Sequence, residues 1–226
     1  DGMVNPAVRV LFLGKRDDPH GARARTWCEQ QGWEVQYLDG AWGDPLPQAA
    51  REWEGDLIIS YLGRWVVPAS VLGRARVAAI NFHPATPEYP GIGCNNFALY
   101  EGAATYGATC HHMAARVDTG RIIDVTRFPV AADETVASLL QRTYAAMSAQ
   151  FEQVMTGFLR AGEFPASAER WTRPPFTRVQ FEALRRIDPG MPADEVRRRV
   201  RATDYPPYGP YVELHGFKFK LAKDPV

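Results

Sequence analysis

Asn81 and His83, separated by Phe82 and followed by Pro84, are residues whose types and spacing could do chemistry. Side chains two apart on a strand project to the same face. An amide and an imidazole aimed at one point give a hydrogen-bond donor for an oxyanion and a group able to move a proton. Pro84 fixes the chain immediately beyond them. Asp118 stands in the turn sequence Arg116-Val117-Asp118-Thr119-Gly120, from which a carboxylate can return to orient and charge-stabilise the imidazole. The same residues have ordinary structural uses. Asparagine at a strand end caps turns, and aspartate before Thr-Gly is a common turn former, so spacing alone leaves both readings open.

For these groups to meet, a strand must end near residue 83. Short apolar or alternating runs at 8–14, 33–38, 56–62 and 77–82 read as strands. Helical spacing appears at 21–32, where Ala24, Trp27 and Cys28 share a face, and in a brief stretch ending at Trp53. Pro68 opens a further short helix. This alternation predicts an α/β fold, a mostly parallel sheet covered by helices on both faces, with ligands beyond the carboxyl ends of the strands. Asn81 and His83 fall at such an end. A helix at 95–101 and strands at 108–113 and 122–130 follow. A long helix capped by Asp133 or Thr135 comes next, and its stripe of Val136, Leu139, Leu140, Tyr144, Met147, Phe151, Val154, Met155 and Phe158 reads as a packing face. Residues 163–177 read as a loose, proline-bearing connection, followed by one helix at 192–202 and a β-hairpin turning at His215-Gly216. The expected division is residues 3–162 as the main domain and 163–226 as a small extension packed on it, too short for its own core.

Basic and acidic residues number 26 each, so no global field points to nucleic acid, a membrane or an acidic partner. The cluster Arg197, Arg198, Arg199 and Arg201 reads as a solvated helix face. Three cysteines without metal-type or redox-type spacing favour a reduced, cytoplasmic setting, and Cys94 reads as a packing residue. No apolar run approaches the ~18–20 residues that cross a bilayer, and the start lacks a charged-then-apolar leader. Asp1 and Gly2 read as a cloning remnant ahead of a native Met3. Cys110-His111-His112 invites a metal reading, but neighbouring strand residues face opposite ways and no second ligand pair is spaced to help, so no metal is expected. There is no G-x-G-x-x-G, which disfavours a nicotinamide cofactor.

The runs Ile80-Asn81-Phe82-His83-Pro84, Tyr89-Pro90-Gly91, Tyr106-Gly107-Ala108-Thr109-Cys110-His111-His112-Met113 and Val117-Asp118-Thr119-Gly120-Arg121-Ile122-Ile123 resemble the 10-formyltetrahydrofolate-dependent formyltransferase family over residues 8–158. That resemblance implies a Rossmann-like catalytic domain and the catalytic trio Asn81, His83 and Asp118. It implies a folate site built from Gly63, Arg64, Trp65 and Val66 on one side and Ala114, Ala115, Arg116 and Val117 on the other. His111 matches a histidine common near the site in relatives, which implies a supporting role. In the implied mechanism an amine attacks the formyl carbon, Asn81 and protonated His83 stabilise the oxyanion, and Asp118 assists proton transfer. The loop after His83 is one residue shorter than the commonest family form, and residues 14–18 lack the glycine-rich phosphate loop of the purine enzyme.

The acceptor is set by less. The tail, with Phe176-Thr177-Arg178, Ile187-Asp188 and residues 202–208 ahead of the hairpin, is similar to that of sugar-nucleotide N-formyltransferases. This implies a nucleotide-linked amino-deoxysugar as acceptor, of the kind used in lipopolysaccharide or other cell-surface glycans, and no nucleic acid partner. Tyr89, Gly91, Gly93 and Asn95 are the substrate-binding candidates; the helix start there either offers backbone N–H groups to a pyrophosphate or is capped without a ligand. Another acceptor amine (methionyl-tRNA, an amino acid or a ribonucleotide amine), a formyl-folate hydrolase and a non-catalytic folate-binding module remain alternatives. The tail aromatics Tyr205, Tyr208, Tyr211, Phe217 and Phe219 form either a homodimer interface or a core between tail and main domain.

Overall fold

The apolar run at the start of the chain becomes β1 (Arg9–Lys15), an inner strand of a six-stranded sheet. A computed structural model describes residues 7–223; the reading of Met3 as the native start lies outside them. The other strands are β2 (Glu34–Gly40), β3 (Gly55–Tyr61), β4 (Ala75–His83), β5 (Thr105–His112) and β6 (Ile122–Pro129), in the order β2-β1-β3-β4-β5-β6. The first four pair in parallel, while β5 and β6 run antiparallel to their neighbours. Helices α1 (Pro19–Gln30), α2 (Gln48–Glu52), α3 (Ala69–Leu72), α4 (Cys94–Glu101) and α5 (Val136–Ala161) connect or cover them. The sheet is Rossmann-like and mostly parallel, with a small antiparallel hairpin in the tail.

Both faces of β1 and β3 are buried, which is why they read as near-continuous apolar runs. Val10, Phe12, Ile59, Ile80 and Phe82 point to one face, under Cys28 of α1 and Met147, Phe151 and Met155 of α5. Leu11, Leu13 and Ile58 point to the other, against Trp53, Val67 and Val71. Each such side chain contributes roughly 1.5–3 kcal/mol on burial. Thr135, rather than Asp133, caps α5 through a reciprocal capping box with Ser138. The α5 stripe is not wholly a packing face: Leu140 and Tyr144 are half-buried and line a cavity.

The tail departs from the sequence expectation in two places. It holds two helices, α6 (Arg178–Arg185) and α7 (Ala193–Thr203), where one was expected. Residues 163–177 are anchored rather than loose. Ser167 N–H donates to the Ile122 carbonyl, Phe164 stacks on Phe158, and Arg127–Glu169 and Arg173–Glu101 are ion pairs. Leu184 and Ala202 join Ala85, Tyr89, Leu99, Tyr106 and Leu139 in one apolar cluster, and the Asn96 amide donates to the Ala202 carbonyl at 2.7 Å. The hairpin of β7 (Tyr211–Leu214) and β8 (Phe217–Lys220) turns at His215-Gly216 as expected and exposes Leu214, Phe217 and Phe219.

The α7 arginines are only in part a solvated face. Arg198 donates to the Tyr100 carbonyl, Arg199 to the carbonyls of Ala183 and Arg186, and Arg201 to that of Glu134. Arg197 and Arg198 are both exposed, and Arg197 meets Asp194 alone. Among the described residues no helix is long and apolar enough to cross a membrane.

Candidate active site

The end of β4 carries Asn81 and His83 to the lip of a cavity of about 690 Å³. Register does the first piece of assembly: Asn81 pairs across β4 and β5 with His111, and its amide nitrogen lies 3.2 Å from His111 Nε2. The turn after β5 does the second. Asp118 adopts a left-handed backbone (φ 51°), which aspartate tolerates better than most residues, and this turns its carboxylate inward. Its Oδ2 stands 3.4 Å from His83 Nδ1 and its Oδ1 3.4 Å from His111 Nε2. Gly91 N–H donates to Oδ2 at 2.8 Å. Gly91 must be glycine: its φ is 91°, and a Cβ would lie 2.4 Å from the Phe176 carbonyl oxygen.

All three ionisable groups are buried, at 5% exposure for His83, 6% for Asp118 and 2% for His111. Burial pushes the Asp118 carboxyl up, but the attraction of His83, hydrogen bonding with His111 and the Gly91 N–H outweigh it and hold it at about 2. His83 has an oxygen acceptor at each nitrogen, the Asp118 carboxylate at Nδ1 and the Tyr89 carbonyl at Nε2 (2.9 Å). Only a doubly protonated ring can donate to both. His111 Nδ1 donates to the His112 carbonyl at 2.8 Å. Its Nε2 then accepts from the Asn81 amide when the ring is neutral and donates to Asp118 when the ring gains a proton.

Of the residues singled out from sequence, Asn81, His83, Asp118, Gly63, Arg64, Trp65, Val66, Ala114, Val117, Gly91, Gly93 and Asn95 all border this cavity. Ala115 and Arg116 do not; they are exposed on the outer side of their loop. Tyr89 does not either. Its ring is buried beside Tyr106 and Phe176, and what reaches the site is its backbone carbonyl. The positive φ of Leu62 (55°) turns the chain out of β3, so that residues 63–67 form a wall.

Several lining residues carried no sequence signal for this role. Trp42 contacts Arg64, whose guanidinium lies 4.4 Å from its ring centre. Phe176, Phe181, Tyr205 and Tyr208 bring an aromatic wall from the tail. Tyr205 and Tyr208 border the cavity and stay partly exposed, with Tyr208 edge-on to Phe181, whereas Tyr211 is buried under Arg185. Burial raises the Cys94 thiol to about 11, which suits a packing residue. His112 leaves the site on the far side of β5 and meets Phe164; among the described residues no group of three or more His, Cys, Asp or Glu is placed to hold a metal.

Residues 41–155 match the family model described as formyl transferase. The GDP-perosamine N-formyltransferase of Brucella melitensis is 30% identical over 165 residues, covering 70% of this chain and 60% of the relative. The methionyl-tRNA formyltransferase of Burkholderia orbicola is 31% identical over 163 residues, covering 71% of this chain and 49% of the relative. The chain thus spans about half to three-fifths of the length of these relatives. Among solved structures, the N-formyltransferase from Helicobacter canadensis, in complex with folinic acid and dTDP-3-aminofucose, is similar in fold. Its TM-score is 0.69 at 15% identity, covering 86% of this chain and 80% of that one. With half of its length matching the family model, the chain belongs to the formyl transferase family.

Proposed function

We propose that the protein transfers a formyl group from 10-formyltetrahydrofolate to the amine of a nucleotide-linked amino-deoxysugar. The observation that carries this reading is the convergence of Asn81, His83 and Asp118 on one cavity, between the 63–67 wall and the aromatic wall of the tail. The volume, about 690 Å³, is in the range of small-molecule sites. The 63–67 wall fits a polar heterocycle: the indole N–H of Trp65 is buried there without a protein partner. Gly63 to Val66 and, opposite, Ala114 and Val117 would hold the folate, which supplies the formyl carbonyl. Asn81 donates a hydrogen bond to the carbonyl oxygen as the amine attacks its carbon. His83 Nε2, turned from the Tyr89 carbonyl to the ligand, would stabilise that oxygen and give its proton to the folate nitrogen as the bond from that nitrogen to the formyl carbon breaks. It would take back the proton the attacking amine loses, while Asp118 holds the ring and its charge.

A nucleotide sugar is favoured as acceptor by the planar rings of Phe176, Phe181, Tyr205 and Tyr208, and by the similarity to the perosamine enzyme. The zero net charge argues against RNA. Three free, buried cysteines support a reducing, cytoplasmic setting. The exposed hairpin face supports pairing of two copies through the tail, and a monomer at micromolar concentration in the ultracentrifuge would sink that part.

The test is incubation with 10-formyltetrahydrofolate and a panel of GDP-, UDP- and dTDP-linked 3- and 4-amino-deoxysugars, following tetrahydrofolate release and N-formyl product by mass spectrometry. Release that requires one of these amines is the expected result. Release without any amine makes the protein a hydrolase, and transfer only to methionyl-tRNA overturns the sugar.

A further inference from the structure

Trp171 stands behind the two histidines. It lies in the anchored segment 163–177, outside the cavity lining, and its indole N–H donates to the Gly120 carbonyl at 2.7 Å, two residues from Asp118. Its ring centre is 5.0 Å from that of His111, with the planes at 86°, and 5.9 Å from that of His83, at 62°. Both distances are within the ~6 Å over which a cation is drawn to an aromatic ring, the steeply inclined planes are those of an edge-to-face contact, and indole is the strongest such partner among the side chains. The other side of the pair faces Asn81 and the cavity, so the histidines are held between a polar front and an aromatic back.

Other ionisable groups nearby are few. Asp118 from the 113–121 loop bridges both rings, Cys94 from α4 is close enough to Asp118 to feel its charge, and His112 with Arg121 lies beyond His111. The groups near the pair thus include one carboxylate and one guanidinium. Beside that carboxylate, the Trp171 ring is the aromatic group packed against both imidazoles.

We propose that Trp171 is a positioning residue for this site: it fixes the His83 and His111 rings and favours their protonated form through its π face. The formyl-transfer reading gives this a purpose, since protonated His83 is the form that stabilises the carbonyl oxygen, but the charge effect itself does not depend on that reading.

The experiment is an NMR titration of the imidazole resonances in the full chain for wild type, Trp171→Phe and Trp171→Leu. Leucine keeps an apolar cover and removes the π face; phenylalanine keeps a weaker π face. The midpoints of His83 and His111 should move to lower pH by roughly half a unit in Trp171→Leu and by less in Trp171→Phe. A second readout is tryptophan emission. The wild type minus Trp171→Phe difference should be quenched as the solution is acidified, because a protonated imidazole quenches a neighbouring indole. Folded protein with unchanged midpoints in both variants overturns the proposal. If Trp171→Leu fails to fold, the Trp171→Phe midpoints and the emission difference still decide it. Should the midpoints move while wild type transfers no formyl group to any acceptor, the functional reading fails and the role of Trp171 stands.

Discussion

Two clusters of charged side chains lie on different elements of the molecule. At the carboxyl end of β4, His83, Asp118 and His111 are all buried, with Asn81 beside them at the cavity. On α7, Arg198, Arg199 and Arg201 carry more formal charge, and each guanidinium donates to backbone carbonyls of Tyr100, of Ala183 and Arg186, or of Glu134. The first cluster keeps its polar atoms beside open space. The second spends its donors closing helix ends and loops. Charge density in the sequence points to the arginines; the cavity points to the smaller cluster. Chemistry is expected where buried ionisable groups meet a concave surface.

If that contrast is right, substitutions at the β4 cluster should cost activity, and those on α7 should cost stability. The largest effect is expected for His83→Gln, which keeps a polar group but cannot carry the proton. Formyl-transfer kcat should fall by roughly 10²–10⁴-fold. Asn81→Ala removes one oxyanion donor and should slow turnover by roughly 100-fold. Circular dichroism and thermal melts should show both variants folded. Near-normal turnover in either one would place the chemistry elsewhere.

Asp118 links the cluster to stability through pH. Its carboxyl is held at about 2, against an ordinary value of 3.8, so in the folded state it binds its proton more weakly than in the unfolded chain. The stabilisation is therefore present above about pH 4 and lost as pH falls through the interval toward 2. It is worth about 2 kcal/mol by linkage. Urea melts between pH 5 and pH 2 should show wild type losing more stability than Asp118→Asn. Parallel slopes would mean that the carboxylate is not paired as the geometry has it.

The two clusters also differ in how far the sequence discloses them. The β4 strand and the Asn81/His83 pair are local features: an apolar run ends, and period two puts both side chains on one face. The approach of Asp118 is not local. It depends on a left-handed backbone at 118 and on contact with Gly91, 27 residues earlier, which no spacing rule encodes. Trp171, Tyr205 and Tyr208 reach the site from irregular segments without periodicity. Helix α6 does carry a local mark, the Thr177 and Gln180 capping box, but eight residues are too few for its apolar period to stand out. The α7 arginines mislead in part, for a related reason. A run of like charges looks solvated until its carbonyl partners are brought in from residues 100, 134, 183 and 186.

The smallest effects should separate the α7 arginines from one another. Arg199 is largely covered and ties the end of α6 to α7. Its truncation leaves the Ala183 and Arg186 carbonyls without a charged donor, and Arg199→Ala should destabilise the fold by about 2 kcal/mol with kcat unchanged. Arg197, 73% exposed, meets only Asp194, one turn away on the same helix. Exposed pairs of that kind are weak because water and salt screen them, so Arg197→Ala should change stability by less than about 0.5 kcal/mol. Denaturant midpoints and steady-state rates measured on both variants test the distinction directly. Equal losses of stability would mean that α7 is held by its charge as a whole. A fall in kcat for Arg199→Ala without a fall in stability would mean that this helix takes part in the chemistry after all.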